Sequence, residues 1–317
     1  MPEAAILAAL ALDLALGWPA WLYARIGHPV GGFARVIGAC ARAWNRAGWG
    51  AARRRVGGVA TVLVLLALAI GTGWAVQALA LRLPGPWAWT VLGLLAWPGL
   101  ALRSLHDHVR PVGQALARGD LAAARRAVGM IVGRDTPTLD SAGVARAAIE
   151  SLAESFCDGV AAPLFWLVVG GLPGLWAYKA VNTADSLIGH REAPWGPFGW
   201  AAARLDDGLN LIPARLGGVV LCLAGGGGWR VLWRDHARHA SPNAGWTEAA
   251  MAGALGLRLA GPVTYDGVVH AKDWIGDGRA EARAQDVARG LRLYRRACAV
   301  LIALVMALAW KGVAWAR

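Results

Sequence analysis

The chain reads as an all-α, polytopic integral membrane protein with cytoplasm-facing amphipathic helices. Three observations predict that class. Hydrophobic residues make up 57% of the 317 and charged residues only 16%, well below the roughly 25% charged residues of a soluble domain. Val56 to Leu81 runs 26 residues without a charge and Leu83 to Leu102 another 20, each long enough to cross a hydrocarbon core. Seven arginines and no acid lie between residues 24 and 56, seven more arginines lie between 103 and 158, and Arg82 alone separates the two runs. By the positive-inside rule both arginine-rich flanks face the cytoplasm.

Each element follows in order. The N-terminal stretch is apolar but lacks a basic leading region and contains Glu3 and Asp13, so it predicts a retained membrane-associated helix rather than a secretory signal. Residues 56–102 predict a transmembrane hairpin. Its turn is marked by Pro84, Gly85 and Pro86, and Trp87, Trp89 and Trp97 suit an interfacial belt. Asp107 to Val132 predicts soluble helix. Asp140 or Ser141 is the expected N-cap of the next helix. Gly159 to Tyr178 is uncharged but broken by Pro163 and by Gly-Gly-Leu-Pro-Gly at 170–174. That pattern predicts a bent or re-entrant segment buried by protein. Leu216 to Trp229 and Ala297 to Trp310 are apolar but short for spans. Two spans are therefore predicted, with two or three marginal ones, in a single membrane-associated domain (1–317) whose site-bearing region is 133–265.

The formal net charge is +12, but the arginines flank apolar runs and no nucleic-acid motif is present. The expected partner of the excess charge is acidic membrane lipid, with phosphate-bearing substrates sharing the benefit; nucleic acid is excluded. Cys40, Cys157, Cys222 and Cys298 are far apart and read as small buried hydrophobes.

Chemistry concentrates between residues 133 and 215. Lys179, Asn182, Asp185 and Ser186 share one helical face, with Val181, Ala184, Leu187 and Ile188 opposite. This is either an ordinary solvated face or a site. Asp206 and Asp207, with Arg204 before them and Asn210 after, suit either a magnesium site or a helix start favoured by the dipole. Glu150, Glu154 and Asp158 step along one side of a helix and need a cation to offset their repulsion. Arg146 pairing with Glu150 is the plain solution. His106 with His108, and His236 with His239, are weak signals for a metal. No Walker motif is present.

At these residues the chain resembles the adenosylcobinamide-phosphate synthase family, the CobD/CbiB proteins of cobalamin biosynthesis. The matching pieces are DLALGWP at 13–19, HPVGGFARVIG at 28–38, GRDTPTLDSAGVARAAIESLAESFCDGVAAPLFW at 133–166, AYKAVNTADSLIGHR at 177–191, FGWAAARLDDGLNLIPARL at 198–216 and SPNAGWTEAAMAGALGLRLAGPVTY at 241–265. The chain departs from the usual pattern at Trp18 and at Ser155-Phe156-Cys157. The resemblance implies a membrane-bound ligase. It would use ATP and Mg2+ to join a carboxylate of the corrinoid substrate adenosylcobyric acid to aminopropanol or an amino alcohol phosphate. It further implies catalytic roles for Glu150, Glu154, Asp185, Asp206 and Asp207, and metal binding by Asp158, Asp206 and Asp207. Substrate contacts would come from Arg134, Lys179, Asn182, Arg204, Asn210, Arg215, Asn243 and His28. The expected location is the bacterial inner membrane, multi-pass, with the site facing the cytoplasm and other membrane proteins of the cobalamin pathway as candidate partners. The alternative is a non-enzymatic membrane sensor or regulatory protein of related architecture.

Overall fold

A computed structural model describes residues 1–265, 268–270 and 272–315. In chain order the helices are α1 (Glu3–Leu16), α2 (Ala20–Ile26), α3 (Val30–Trp44), α4 (Ala51–Ala80), α5 (Gly85–Ala96), α6 (Leu102–Ala117), α7 (Leu121–Gly129) and α8 (Ser141–Phe156). They continue with α9 (Ala162–Ile188), α10 (Gly196–Gly225), α11 (Trp229–Asp235), α12 (Ala244–Leu255) and α13 (Ala284–Trp315). Four strands of two or three residues, β1 (Leu259–Ala260), β2 (Val263–Tyr265), β3 (Val268–His270) and β4 (Trp274–Ile275), form two antiparallel pairs, β1–β4 and β2–β3. The all-α class holds.

Five helical stretches are long and apolar enough to cross a membrane: Ala51–Ala80, Gly85–Ala117, Ser141–Ile188, Gly196–Gly225 and Ala284–Trp310. The N-terminal pair Glu3–Leu16 and Ala20–Trp44 meets the same criterion with a bend of 107°. The first hairpin partner thus ends at Ala80, close to the expected Leu81. The second stretch differs from the sequence reading. It passes a 3-10 turn at Trp97–Gly99 and continues into α6, expected to be soluble. The reason is visible on α6: Leu105, Val109 and Val112 are buried on one face, so its polar residues occupy the remainder of an amphipathic helix. Likewise Leu216 to Trp229 is not a short apolar run by itself. Its first ten residues complete a 30-residue helix that also carries Asp206 and Asp207.

The chain divides into two compact units. The first comprises residues 1–101, 162–210 and 305–317. Its core packs α4 against α9 and α3, with Val62, Leu65, Ala69, Ala180, Ala184, Ile188 and Phe198 buried together. The backbone of α4 approaches Phe198 so closely that a Cβ at Gly58 would collide with the Phe198 carbonyl. The expected interruption within 159–178 falls at Gly171, whose φ of +62° suits glycine. Pro173 follows it, and the freed amide of Leu172 donates to Gln77 Oε1 on α4 at 2.9 Å. A neighbouring helix thereby satisfies the broken backbone, as apolar surroundings require.

The second unit comprises residues 102–161 and 211–304. α8 is its central helix and packs against α6, α7, α12 and β1. Asp140 caps α8 by accepting from the Gly143 amide at 2.7 Å. Two carboxylates with no exposed surface fix the periphery. Asp235 pairs with Arg234 and Arg238. Asp286 pairs with Arg279 and Arg289 at the start of α13.

Candidate functional site

Each unit holds its own polar cluster inside apolar packing. In the first unit the cluster joins α9 to α10. Asp206 is 8% exposed. Its two oxygens accept from Asn182 Nδ2 at 3.2 Å and Asn210 Nδ2 at 2.9 Å. Asn210 Oδ1 in turn accepts from the Tyr178 hydroxyl at 3.0 Å. Every member is hydrogen-bonded, which is the condition for burying such a chain of groups. Asp185, half-buried, lies within electrostatic reach of Asp206. Lys179 lies within reach of His28, whose Nδ1 accepts from the Val30 amide and whose ring stands 4.9 Å from Trp18. Asn182 is therefore turned to α10, whereas Lys179 and Asp185 on the same face are half-buried and Ser186 is exposed. Of the residues read as its apolar counterpart, Val181, Ala184 and Ile188 are buried, whereas Leu187 is exposed.

Asp207 has different surroundings. Successive helical side chains diverge by about 100°, so Asp207 points away from Asp206, half-buried, with Arg204 NH1 at 3.5 Å. Among the described residues, no group of three His, Cys, Asp or Glu is placed to hold a metal ion. Magnesium commonly takes one or two protein carboxylates and completes its shell with water and substrate phosphates. The carboxylates present fit only that mode.

In the second unit α8 supplies the centre. Glu150 is 6% exposed. One oxygen accepts from Arg134 and the other from the Ala260 amide at 2.7 Å. Ser151 Oγ donates to the Ile131 carbonyl at 2.8 Å, which ties the segment bearing Arg134 to α8. Arg146 Nε stands 3.7 Å from Glu150, and its guanidinium lies 5.0 Å over the Trp274 ring. The expected Arg146–Glu150 pair is thus present but secondary to Arg134. Glu154, one turn on, is exposed, and Asp158 is half-buried in the π-helical turn Cys157–Ala161.

The sequence reading missed Glu248 and Lys272 and took His239 only as a weak metal signal. Glu248 of α12 is buried, and His239 Nε2 stands 3.6 Å from its carboxylate. His239 Nδ1 accepts from the Ser241 amide at 3.0 Å, which leaves the proton on Nε2, directed toward Glu248. Lys272 lies within electrostatic reach of Glu154, His239 and Glu248. Burial pushes the Glu248 carboxyl well above its ordinary value, and Glu150 and Glu154 push the same way, while Arg134 and Lys272 oppose them. Burial lowers the His239 imidazole, with Lys272 adding to the shift. One sequence signal pointed to Glu248. It is the sole formal charge between Arg238 and Arg258.

Arg215 and Asn243 also meet, NH1 to Oδ1 at 3.4 Å, and the Arg215 guanidinium lies 4.7 Å over Trp246. The predicted residues therefore fall into separate groups. Asn182, Asp185, Asp206 and Asn210 belong to one, with Lys179 and His28 a neighbouring pair and Arg204 with Asp207 apart. In the other unit Arg134, Glu150 and Glu154 form one group, and Arg215 with Asn243 another.

Fold and clusters define a multi-pass helical membrane protein that keeps acids, amides and cations in otherwise apolar packing. The profile described as CobD/Cbib protein matches residues 6–294. A Rhodobacter capsulatus protein named cobalamin biosynthesis protein CobD is 50% identical over 313 residues, covering 97% of this chain and 98% of its own. Proteins of the same name from a Sinorhizobium species and from Geobacter metallireducens are 46% and 44% identical, covering 95% and 86% of this chain and 96% and 86% of their own. No solved structure gives a significant match. This chain belongs to the CobD/Cbib family.

Proposed function

We propose that this chain is the ligase of cobalamin biosynthesis that joins adenosylcobyric acid to (R)-1-amino-2-propanol or its O-phosphate, giving adenosylcobinamide or its phosphate. The observation that carries this reading is the family match over nearly the whole chain. The side chains are compatible with it. A carboxylate is a poor acyl donor in neutral water, so ATP would activate it by phosphoryl or adenylyl transfer before the amine attacks. Mg2+ would neutralise triphosphate charge at a single carboxylate, either Asp206 or Asp207 in the first unit or Asp158 in the second. Arg134, Lys179, Arg204 and Arg215 carry the cations for phosphate or carboxylate groups. Asn182, Asn210 and Asn243 offer amides to a substrate rich in amides, and His28 beside Trp18 offers an aromatic surface. Glu150 and Glu154 in the second unit, or Asp185 in the first, would orient the amine. That is catalysis by positioning and by preset charge. The site would face the cytoplasm, where ATP is, at the bacterial inner membrane.

The test is reconstitution. Membranes containing the protein receive adenosylcobyric acid, ATP, Mg2+ and the amine, and the amide product is followed by chromatography and mass. Formation of ATP-dependent product is expected. No product from folded wild-type protein removes the reading and leaves the sensor alternative.

A further inference from the structure

The arginines of α13 that precede its apolar run are left without a task by the amide-forming reading. Arg289, Arg292 and Arg296 stand three and four residues apart, so they share about 60° of one helical face. All three line one cavity of about 240 Å³ within the second unit. Its back wall is apolar and tightly closed. A Cβ at Gly225, the last residue of α10, would meet Ala254 Cβ of α12 at 2.8 Å and Leu293 of α13 at 3.3 Å. Leu255, the last residue of α12, completes the wall. Arg289 NH1 donates to Asp286 Oδ1 at 3.0 Å, but Asp286 is also held by Arg279. Among the described residues no carboxylate pairs with Arg292 or Arg296, and neither guanidinium donates a hydrogen bond. Like charges at these spacings destabilise a helix. The C-termini of α10 and α12 offer only about half a negative charge each, which does not balance two unpaired guanidiniums.

The missing anion has a recognisable place and chemistry. Arg296 is the last charge before residues 297–310, the apolar part of a stretch long enough to cross a membrane. At 1.5 Å per residue, Arg292 and Arg289 stand about 6 and about 10 Å further from that run. A bilayer of roughly 40–45 Å around a core of roughly 30 Å has a headgroup layer of about 5–8 Å on each side. Arg296 and Arg292 therefore stand at headgroup depth. A planar guanidinium matches a phosphate group bidentately. The glycine, alanine and leucine residues that complete the lining offer no polar side chain to a sugar or a base. Below the arginines, Ala299, Ala303 and Leu304 follow Arg296 on the same side of the helix and are exposed.

We propose that this cavity holds the phosphate headgroup of one anionic phospholipid, whose acyl chains lie along that exposed apolar face of α13. Such a site is independent of amide formation. Diffuse attraction of a basic flank for acidic lipid treats neighbouring arginines alike, whereas a built site distinguishes them. Arg295 supplies the contrast. It is adjacent to Arg296, equally near the apolar run and exposed, but it does not line the cavity.

The experiment is native mass spectrometry of the full-length protein in a neutral detergent, titrated with phosphatidylglycerol or with phosphatidylcholine. The wild type is expected to hold one phosphatidylglycerol about 10-fold or more tightly than phosphatidylcholine. Arg292→Gln with Arg296→Gln should weaken phosphatidylglycerol binding about 10- to 100-fold. Arg295→Gln removes the same charge from the same turn and should change it by less than about 5-fold. If the double variant does not fold, R296Q alone carries the test, with an expected loss of about 10-fold. An equal loss in R295Q and R296Q overturns the site in favour of diffuse attraction, and equal binding of the two lipids by the wild type overturns it outright. Displacement of phosphatidylglycerol by inorganic phosphate, but not by chloride at the same ionic strength, assigns the cavity to a free phosphate group and overturns the lipid as its occupant.

Discussion

The Arg134–Glu150 pair gives the sharpest test of the second unit. The two side chains are 14% and 7% exposed, so each loses most of its hydration and depends on the other. Removing one member of a buried pair costs about 3–5 kcal/mol when the remaining charge is stranded. Glu150 would not be wholly stranded in Arg134→Ala. It keeps the Ala260 amide at 2.7 Å and Arg146 at 3.7 Å. The expected cost is therefore about 2–3 kcal/mol. Glu150→Gln should cost a similar amount, because one amide nitrogen then faces a donor. The double variant removes both the charge and its partner, so it should cost less than the two singles together, with a coupling of about 2 kcal/mol. For a unit of this size 1 kcal/mol moves the melting temperature by roughly 2–4 °C. Each single variant should thus lower it by about 4–12 °C. The assay is thermal unfolding in one detergent–lipid mixture for all four proteins. Singles within 1 °C of wild type, or a double variant equal to their sum, would refute the assignment of this pair as the buried centre of the cluster.

Three further outcomes are expected. Gly58→Leu should prevent stable packing of α4, because even a Cβ there meets the Phe198 carbonyl; yield of membrane-inserted, protease-resistant protein measures it. Asp206→Asn places an amide where Asn182 and Asn210 both donate, and amide formation should fall about 100-fold in a protein that still inserts; a wild-type rate would exclude Asp206 from the chemistry. His239 is held below its ordinary 6.5 by burial and by Lys272, so its contribution to stability is present above 6.5 and is lost as pH falls below it. The melting temperature should drop between about pH 8 and about pH 5, and His239→Gln should flatten part of that drop.

The sequence by itself determined the class of this protein. Long uncharged runs with arginine at their edges leave few alternatives to membrane helices, because an unpaired charge in hydrocarbon is expensive. The caps and breaks were local as well. Asp140 before α8 and the Gly171–Pro173 interruption of α9 are written in residues whose backbone preferences act over a few positions. The in-order motifs at 13–265 carried the family. Tertiary structure decided what linear charge counting could not. A helix start was one of two readings of Asp206 and Asp207, yet Asp206 rides inside a 30-residue helix, where Asn182, 24 residues earlier, and Asn210 supply the donors that water would otherwise provide. Asp206 and Asp207 are neighbours in sequence, but the fold gives Asp206 two buried amide donors and Asp207 the Arg204 guanidinium. Glu248 stands 98 residues from Glu150 in the chain; only the packing of α12 on α8 brings their charges within reach of each other. Such proximity depends on long-range packing between helices, and no spacing rule within either helix encodes it.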